Sequence, residues 1–294
     1  MTPITNAAHI PVLSNEVLSF LEIKPSGRYI DGTCGLGGHS KLILSKLSSD
    51  GFLIGTDLDK EAIEISRKNL KKVGENFHIE KASYSQFPKI LKKLNISKVD
   101  GILLDLGLSS LQLNSQNRGF SFKRNSNLDM RFDLESQLQA NDIINNSSDK
   151  ELSDIIYFFG EERRSRTISK NIIKNRPINT VNELKEIIRI STPPNKRNKT
   201  LARVFQSFRI AVNNELENLK SFLKKYITYL NTGGKIIIIS FHSLEDRLVK
   251  HSFKYSSSEG NLKIITKKPV MASDKEKDAN KRSKSAKLRC AIKL

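Results

Sequence analysis

The sequence predicts an α/β fold, a Rossmann-like, doubly wound parallel sheet that is interrupted by a helical insertion. Three observations predict it. Strand and helix patterns alternate over the first hundred residues, only helical patterns occur between about 112 and 204, and a further buried strand pattern follows at 233–240. Strands that alternate with helices of this length form βαβ units, whose parallel strands are joined by right-handed crossovers.

Each predicted strand is an apolar run, and each predicted helix has one apolar side. Before the insertion the elements are strand 28–31, helix 40–47, strand 51–57, helix 60–73, a weaker strand 77–80, helix 87–94 and strand 99–105. After it they are helix 203–230, strand 233–240 and two late strands at 262–266 and 287–294. We expect residues 1–111 and 204–294 to form the sheet domain. Residues 112–203 would form the insertion between strands 4 and 5, overhanging the strand ends where ligands bind in open α/β sheets.

Composition excludes several classes of protein. The chain has 294 residues, of which 37% are hydrophobic and 28% are charged, enough for a real core. Its apolar runs, such as 236–239, are far shorter than the ~20 residues of a membrane span, and the first residues show no secretory signal. Two cysteines, Cys34 and Cys290, cannot form a disulfide scaffold, and no cluster has zinc spacing. We expect a soluble, cytosolic protein without a metal.

The net charge of +19 is concentrated in two segments. Residues 1–160 carry 19 basic and 19 acidic side chains, whereas residues 161–203 and residues 261–294 each carry an excess of eight positive charges. Basic segments beside a neutral half favour a face that binds a polyanion. No basic amphipathic helix stands out, so nucleic acid is favoured over a membrane surface. A solvated basic tail is the alternative.

A glycine-rich loop lies between the first strand and the next helix, directly after Asp31. Glycines there let the backbone turn sharply and approach a ligand closely. Asp57 ends the second strand 20 residues after Gly37, where a carboxylate accepts hydrogen bonds from ribose hydroxyls. Dinucleotide enzymes and S-adenosylmethionine enzymes both use this arrangement. The glycines do not follow GxGxxG, and Asp31 suits a cofactor with an amino acid part. A purely structural turn is the alternative.

A third carboxylate, Asp105, ends the fourth strand at the same predicted crevice. A buried strand seldom ends on a carboxylate without a partner, because an unpaired buried charge is costly. We expect Asp105 to border both cofactor and substrate, and capping of the loop that follows is the compatible structural reading.

The chain resembles a known family, the bacterial 16S ribosomal RNA cytosine-N4 methyltransferases of the RsmH (MraW) type. The resemblance covers nearly the whole chain and rests on blocks in the right order. They are HIPVL at 9–13 with EVL at 16–18, YIDGTCGLGGHS at 29–40, DGILLDLGLSS at 100–110, RGFSF at 118–122, LDMR at 128–131, GEER at 160–163, FQ at 205–206, SFHSLEDR at 240–247 and SAKLR at 285–289. The chain departs from the family pattern at Cys34, at 164–166, at 200–204 and at 266–280.

The resemblance implies a class I methyltransferase sheet that binds S-adenosylmethionine. The methyl group would go to the exocyclic N4 of one cytidine in the decoding region of 16S rRNA. The expected partner is this RNA within the small ribosomal subunit. Carried over by position, the cofactor-binding residues would be Gly37, Gly38, His39, Asp57, Tyr84, Asp105 and Gln112. Tyr84 taken alone is more typical of a packing residue. The oligomeric state stays open between monomer and homodimer.

Methyl transfer to an amine requires alignment and a hydrogen-bond acceptor beside a poor nucleophile. The loop after the fourth strand lacks the Asn/Asp-Pro-Pro-aromatic motif of many amino methyltransferases. We hypothesise that Asp105 or a nearby carbonyl is the acceptor, and the base that removes the proton is not identified. Methylation at C5 needs a thiolate, and neither cysteine lies beside this loop. His242 is either catalytic or part of a helix start, since 243–246 has capping spacing.

Two groups of basic residues would bind the RNA, because Lys and Arg gain affinity by releasing counterions from phosphates. They are Arg163, Arg164, Arg166, Lys196, Arg197 and Lys199 in the insertion, and Lys281, Arg282, Lys284, Lys287 and Arg289 near the end of the chain. Phe120, Phe122 and Phe132 are candidate base platforms, although single aromatics more often belong to a core. The alternatives are a methyltransferase for another RNA, a protein or a small molecule, a nicotinamide-dependent dehydrogenase, and a non-enzymatic RNA-binding factor on the same fold.

Overall fold

The computed structural model describes residues 11–294, which divide into two compact units. The first, the sheet unit, contains the described residues up to Gly107 together with Glu217–Leu294. The second, the helical unit, is Leu108–Leu216. The first two residues of the HIPVL block, 9–10, lie outside the described residues.

The helices are α1 (Ser14–Leu21), α2 (Gly38–Leu44), α3 (Lys60–Leu70), α4 (Phe87–Lys93), α5 (Ser110–Asn114), α6 (Ala140–Asn146), α7 (Asp149–Gly160), α8 (Ser165–Lys174), α9 (Val181–Ile190), α10 (Arg197–Asn213), α11 (Glu215–Leu223), α12 (Ser243–Ser258) and α13 (Asp274–Ala279). Short 3-10 turns occur at Tyr84–Gln86, Pro194–Lys196, Tyr226–Tyr229 and Lys281–Ser285. The strands are β1 (Arg28–Asp31), β2 (Phe52–Asp57), β3 (Phe77–Lys81), β4 (Val99–Asp105), β5 (Leu230–Ser240), β6 (Leu262–Ile264) and β7 (Lys287–Lys293).

The strands of the sheet unit form one sheet in the order β3-β2-β1-β4-β5-β7-β6. Strands β1 to β5 pair in parallel, and β7 runs antiparallel to both β5 and β6. The chain winds outward from β1 in one direction and from β4 in the other, which makes the sheet doubly wound. The fold class predicted from the sequence is therefore confirmed, and β1 and β4 flank the switch point where such sheets bind ligands.

Residues of the central strands alternate between two buried faces of the sheet. Leu103 and Ile237 belong to one apolar cluster, whereas Ile102, Leu104 and Ile236 belong to the other. Because helices cover both faces of a parallel sheet, its strands read as continuous apolar runs. This explains the four consecutive isoleucines of β5.

The helical unit has an apolar core of its own, and α10 supplies much of it. Val204, Phe205, Phe208 and Val212 of this helix are all buried in that core. The predicted boundary at 203/204 would cut α10 in two, and the structure instead places the end of the unit after Leu216. The difference arises because apolar periodicity alone does not show which core a helix faces.

The predicted helix 203–230 is two helices in the structure, α10 and α11. They are separated at Asn214, whose φ of 51° lies in the left-handed region that ends a helix. The predicted strand at 233–240 begins earlier, at Leu230. No helix within residues 11–294 is both long and apolar enough to cross a membrane.

Candidate functional site

Three carboxylates lie at the carboxyl ends of neighbouring strands in the sheet unit. Asp31 ends β1, Asp57 ends β2 and Asp105 ends β4. Asp57 pairs in register with the last residues of β3, and Asp31 is flanked by Gly55 of β2 and Leu103 of β4. The parallel register therefore gathers the three predicted strand-end acids at one edge of the sheet.

Asp31 is buried and organises the turn into α2. Its Oδ2 accepts a hydrogen bond from the Ser40 hydroxyl at 2.6 Å, and its Oδ1 accepts one from the Thr33 backbone N–H at 3.2 Å. Burial raises the pKa of Asp31 to about 6, although both hydrogen bonds oppose that shift. With both oxygens engaged inside the turn, Asp31 supports the site rather than presenting itself to a ligand.

The glycine loop folds tightly against its own unit. Gly37 has a φ of 86°, and a Cβ added there would lie 2.7 Å from the Ser66 hydroxyl on α3. A Cβ on Gly32 would lie 2.3 Å from the Leu104 side chain. Tight packing therefore favours glycine at both positions, as the structural alternative for this loop expects. The same packing brings the backbone of 32–38 next to the strand-end acids.

Asp57 holds the loop from the neighbouring strand. Its Oδ2 accepts from the Gly35 backbone N–H at 2.8 Å, and its Oδ1 accepts from the Asp59 backbone N–H at 2.9 Å. Desolvation raises the pKa of Asp57 above its ordinary value. Each carboxylate oxygen can accept a second hydrogen bond, and the side chain is half-buried. Asp57 can therefore still accept hydrogen bonds from ribose hydroxyls.

Asp105 has an unsatisfied acceptor. Its Oδ1 is buried and has no hydrogen-bond partner within the described part of the chain, while its Oδ2 lies 3.8 Å from Nε2 of His39. The Thr33 hydroxyl accepts a hydrogen bond from the Asp105 backbone N–H at 2.6 Å, which fixes the residue against the glycine loop. Burial raises the pKa of Asp105 to about 7, opposed by the positive charge of Arg282. A buried carboxylate oxygen without a hydrogen bond can accept one from a ligand or interact with a positively charged group.

His242 follows β5 and caps the next helix. Its Nδ1 accepts a hydrogen bond from the Glu245 backbone N–H at 3.4 Å, and its Nε2 lies 3.2 Å from the Glu245 carboxylate. Glu245 in turn accepts from the Phe241 backbone N–H at 2.9 Å. The N-cap of α12 is His242, one residue before the predicted capping segment 243–246. Capping explains Nδ1, whereas the buried Nε2 has no hydrogen-bond partner among residues 11–294, so a catalytic role for His242 stays a hypothesis.

Tyr84 lies in the sheet unit and Gln112 in the helical unit. Tyr84 packs edge-on against Phe222, with ring centroids 5.8 Å apart, as its packing interpretation expects. Gln112 lies in α5 of the helical unit, where it forms a capping box with Ser109. Their assignment to cofactor binding stays a prediction, as does that of Gly37, Gly38, His39, Asp57 and Asp105.

Burial disfavours the thiolate form of both cysteines. Cys34 and Cys290 are buried and unbonded to each other. Burial raises the pKa of the Cys34 thiol well above its usual value and that of Cys290 to about 12. Because the attacking species in C5 methylation is a thiolate, neither residue is suited to it.

The predicted basic residues separate into exposed and structural groups. Arg163, Arg164, Lys196 and Lys199 are exposed and line one cavity of about 640 Å³ in the helical unit. Arg289, by contrast, is largely buried and hydrogen-bonded to Asp246. This ion pair gives it a structural role in β7, and its contact with RNA stays a prediction.

Sequence reasoning missed part of this cavity. Glu162, Thr200 and Arg203 also line it, and only Glu162 fell within a block used for the resemblance. The three candidate aromatic platforms pack among themselves and the core of the helical unit. Phe120 stacks on Phe132 with centroids 5.7 Å apart, and Phe122 meets Phe205 edge-on at 5.6 Å.

Known proteins are similar to this chain over nearly its full length. Residues 6–294 match the model of the MraW methylase family. A protein of Caldicellulosiruptor saccharolyticus named "Ribosomal RNA small subunit methyltransferase H" is 48% identical, over 97% of this chain and 99% of that protein. A protein of the same name from Thermosipho africanus is 47% identical, over 97% of this chain and 98% of its own length. The crystal structure of an rRNA methylase from Streptococcus thermophilus matches with a TM-score of 0.45 and 12% identity, over 98% of this chain and 99% of that one.

Proposed function

This chain belongs to the MraW methylase family, and on that premise we propose that it methylates the N4 amine of one cytidine in the decoding region of 16S rRNA. S-adenosylmethionine is the methyl donor. The relatives named as small-subunit ribosomal RNA methyltransferases support the RNA substrate, since they share 41–48% identity with this chain. The particular base and atom rest on the family resemblance of the sequence blocks.

The observation that carries the proposal is the unpartnered Oδ1 of Asp105 beside the glycine loop. The residues present fit the cofactor: Asp57 has free acceptor capacity for ribose hydroxyls, and Asp105 offers an unsatisfied carboxylate to a positively charged group. The residues that would hold it are Gly37, Gly38, His39, Asp57, Tyr84, Asp105 and Gln112. When bound, S-adenosylmethionine supplies an electrophilic methyl group on a sulfonium.

The protein's own part in the chemistry is to orient the amine and take its proton. A cytosine amine is a poor nucleophile because its lone pair is delocalised, and an acceptor beside it favours the reactive geometry. The pKa of Asp105, raised to about 7, matches that of a general base working near neutral pH. Asp105 can therefore border cofactor and substrate together, as expected from its place at the end of β4.

The first experiment is transfer of tritiated methyl from S-adenosylmethionine to small ribosomal subunits purified from cells that lack this gene, followed by nucleoside analysis. Label in N4-methylcytidine is the expected result. Label in another nucleoside or in protein would contradict the substrate and favour one of the other methyltransferase readings. Cofactor binding without any transfer would favour the non-enzymatic RNA-binding factor.

The Asp105→Asn variant separates the two roles of this residue. Loss of cofactor affinity with little change in kcat would assign Asp105 to cofactor binding. A fall in kcat with normal cofactor affinity would assign it to the amine. If kcat and cofactor affinity both stayed at the wild-type values, both roles would be excluded. We further propose that the enzyme works in the cytoplasm on the small ribosomal subunit.

A further inference from the structure

One cavity of about 640 Å³ in the helical unit concentrates positive charge. Five basic residues line it: Arg163, Arg164, Lys196, Lys199 and Arg203. They come from two segments that are distant in sequence, the connection between α7 and α8 and the beginning of α10. We call this cavity the Glu162 corner, because the carboxylate of Glu162 also lines it.

A close helix contact joins the two segments. The last residue of α7, Gly160, lies against α10 so tightly that an added Cβ would be 2.7 Å from the carbonyl oxygen of Arg203. One helical turn away, the Gln206 side-chain amide donates a hydrogen bond to the Phe159 carbonyl at 2.9 Å. A side chain at position 160 would push α7 and α10 apart. The corner is therefore built by the fold and is not a chance meeting of surface side chains.

Glu162 braces the corner from within. Its Oε1 accepts from the Arg164 backbone N–H at 3.1 Å, and its Oε2 accepts from the Thr200 hydroxyl at 3.1 Å and from Nη1 of Arg203 at 3.5 Å. The side chain is only 6% exposed. A buried carboxylate is stable only when it is paired and hydrogen-bonded, and Glu162 satisfies this by tying both segments together.

The charges of the corner do not balance. Arg203 pairs with Glu162, and among residues 11–294 none of Arg163, Arg164, Lys196 and Lys199 takes part in an ion pair. Four positive charges therefore surround the cavity without a partner. The cavity also lies at the beginnings of α8 and α10, where Arg164 and Lys196 are the N-cap residues, and helix N-termini favour anions.

We propose that the Glu162 corner binds backbone phosphates of the substrate RNA, an inference that rests on the proposed function. The two arginines supply planar forks of donors and the two lysines supply point charges, the side chains that recognise phosphate. Glu162 is a positioning residue, because it holds Arg203 and the Arg164 backbone and would itself repel a phosphate.

The direct test removes the lysines and compares a matched pair. Lys196→Gln/Lys199→Gln is compared with Lys170→Gln/Lys174→Gln, which removes the same charge from exposed positions of α8 outside the cavity. The measurement is the salt dependence of binding to a fluorescein-labelled single-stranded uridine 12-mer. Each lost phosphate contact lowers the slope of log K against log salt by about 0.7, so the corner pair should lower it by about 1.4. The control pair should keep the wild-type slope, and equal slopes for the two pairs would overturn the proposal.

A second variant tests the brace. If the carboxylate acted only as a negative charge near RNA, Glu162→Gln would tighten binding of the 12-mer. The proposal expects weaker binding and a shallower salt slope, because Arg203 and the turn at Arg164 lose their anchor. Thermal unfolding of the variant checks that it is folded, and tighter binding by folded protein would contradict the positioning role.

Further measurements distinguish the source of the phosphate and separate this proposal from the proposed function. Inorganic phosphate at constant ionic strength should compete weakly with the 12-mer, and tight competition would identify a site for a free phosphate instead. If the wild-type protein methylates small-subunit RNA and the two lysine pairs behave alike, the corner is wrong and the function stands. If no RNA is methylated but the corner pair still loses slope, the function fails and the corner remains a phosphate site.

Discussion

The guanidinium of Arg289 donates two hydrogen bonds to the carboxylate of Asp246, one from Nε at 2.6 Å and one from Nη2 at 3.2 Å. Arg289 lies on β7 and Asp246 in the first turn of α12, so the pair fastens the antiparallel strand to the helix that follows β5. Lys287 adds a weaker contact with the same carboxylate at 3.9 Å. Arg289, which the sequence predicts to contact RNA, thus stabilises the framework of the sheet unit.

Replacing Arg289 should therefore destabilise the protein. The Arg289 side chain is 8% exposed and that of Asp246 15%, so Arg289→Met would leave a largely buried carboxylate without its main partner. Breaking a buried pair costs about 3–5 kcal/mol, and Lys287 should compensate in part. We expect the free energy of unfolding in urea to fall by about 3 kcal/mol.

The matched comparison is Lys281→Gln, which removes an exposed positive charge from the same end of the chain. An exposed substitution of this kind should change the free energy of unfolding by less than about 0.5 kcal/mol. If Arg289→Met unfolded as readily as Lys281→Gln, the ion pair would contribute no stability, and RNA contact would again be the better reading of Arg289.

The fold could be predicted from sequence because its signals are local. The apolar runs at β4 and β5 and the glycine loop between β1 and α2 each depend on neighbouring residues only. The alternation of these strands with helices predicts parallel βαβ units. The strand-end acids Asp31, Asp57 and Asp105 could be placed at one edge for the same reason.

The remaining features depend on contacts between distant segments. The residues around Arg289 in the sequence do not indicate that it pairs with Asp246. In the Glu162 corner, the packing of α7 on α10 brings Glu162 into contact with Thr200 and Arg203. Apolar periodicity likewise placed the predicted domain boundary inside α10, since a helix pattern shows that one face is buried but not which core buries it.

Cofactor affinity should rise with pH through about 7. The pKa of Asp105 is raised to about 7 by burial, so the carboxyl group is largely protonated in the free protein below that pH. A cofactor with a sulfonium and an ammonium group favours the ionised carboxylate, and binding must then release the proton. Calorimetric titration at pH 6.0 and 8.0 should show up to about a tenfold difference in Kd for S-adenosylmethionine, since one unit of pH below the pKa costs a factor of ten.

Asp105→Asn supplies the control for this dependence, because an amide does not titrate. Its cofactor affinity should be weak and nearly independent of pH between 6.0 and 8.0. The same raised pKa means that the folded protein holds this proton more tightly than the unfolded chain, whose Asp pKa is near 3.8. The contribution of Asp105 to stability is thus complete below pH 3.8 and is lost as the pH rises through about 7. If the cofactor affinity of Asp105→Asn still depended on pH, that dependence would have to come from another group.

Gly37→Ala should be more destabilising than Gly233→Ala, although both glycines have positive φ. Their φ values are 86° and 78°, so alanine is strained by about 1–2 kcal/mol at either position. At Gly37 the new Cβ would also meet the Ser66 hydroxyl at 2.7 Å, whereas nothing lies within 4 Å at Gly233. The extra cost should be about 1–3 kcal/mol in urea unfolding, as for overpacking. In a Ser66→Ala background the two alanine substitutions should cost the same, and a difference that persisted would exclude the hydroxyl as its cause.

Methyl transfer should survive the loss of both cysteines. The pKa of each buried thiol is raised, that of Cys290 to about 12, so neither supplies the thiolate that attack on the C6 of a pyrimidine requires. In Cys34→Ala/Cys290→Ala we expect methyl transfer to small ribosomal subunits within about twofold of wild type at a temperature where the variant is folded, with some stability lost to the cavities left behind. Asp105→Asn in the same assay provides the contrast, because it should lose most of its activity while keeping both thiols. Loss of transfer in the folded double variant would mean that a cysteine takes part in the reaction, and would redirect the search from the N4 amine to the ring carbon.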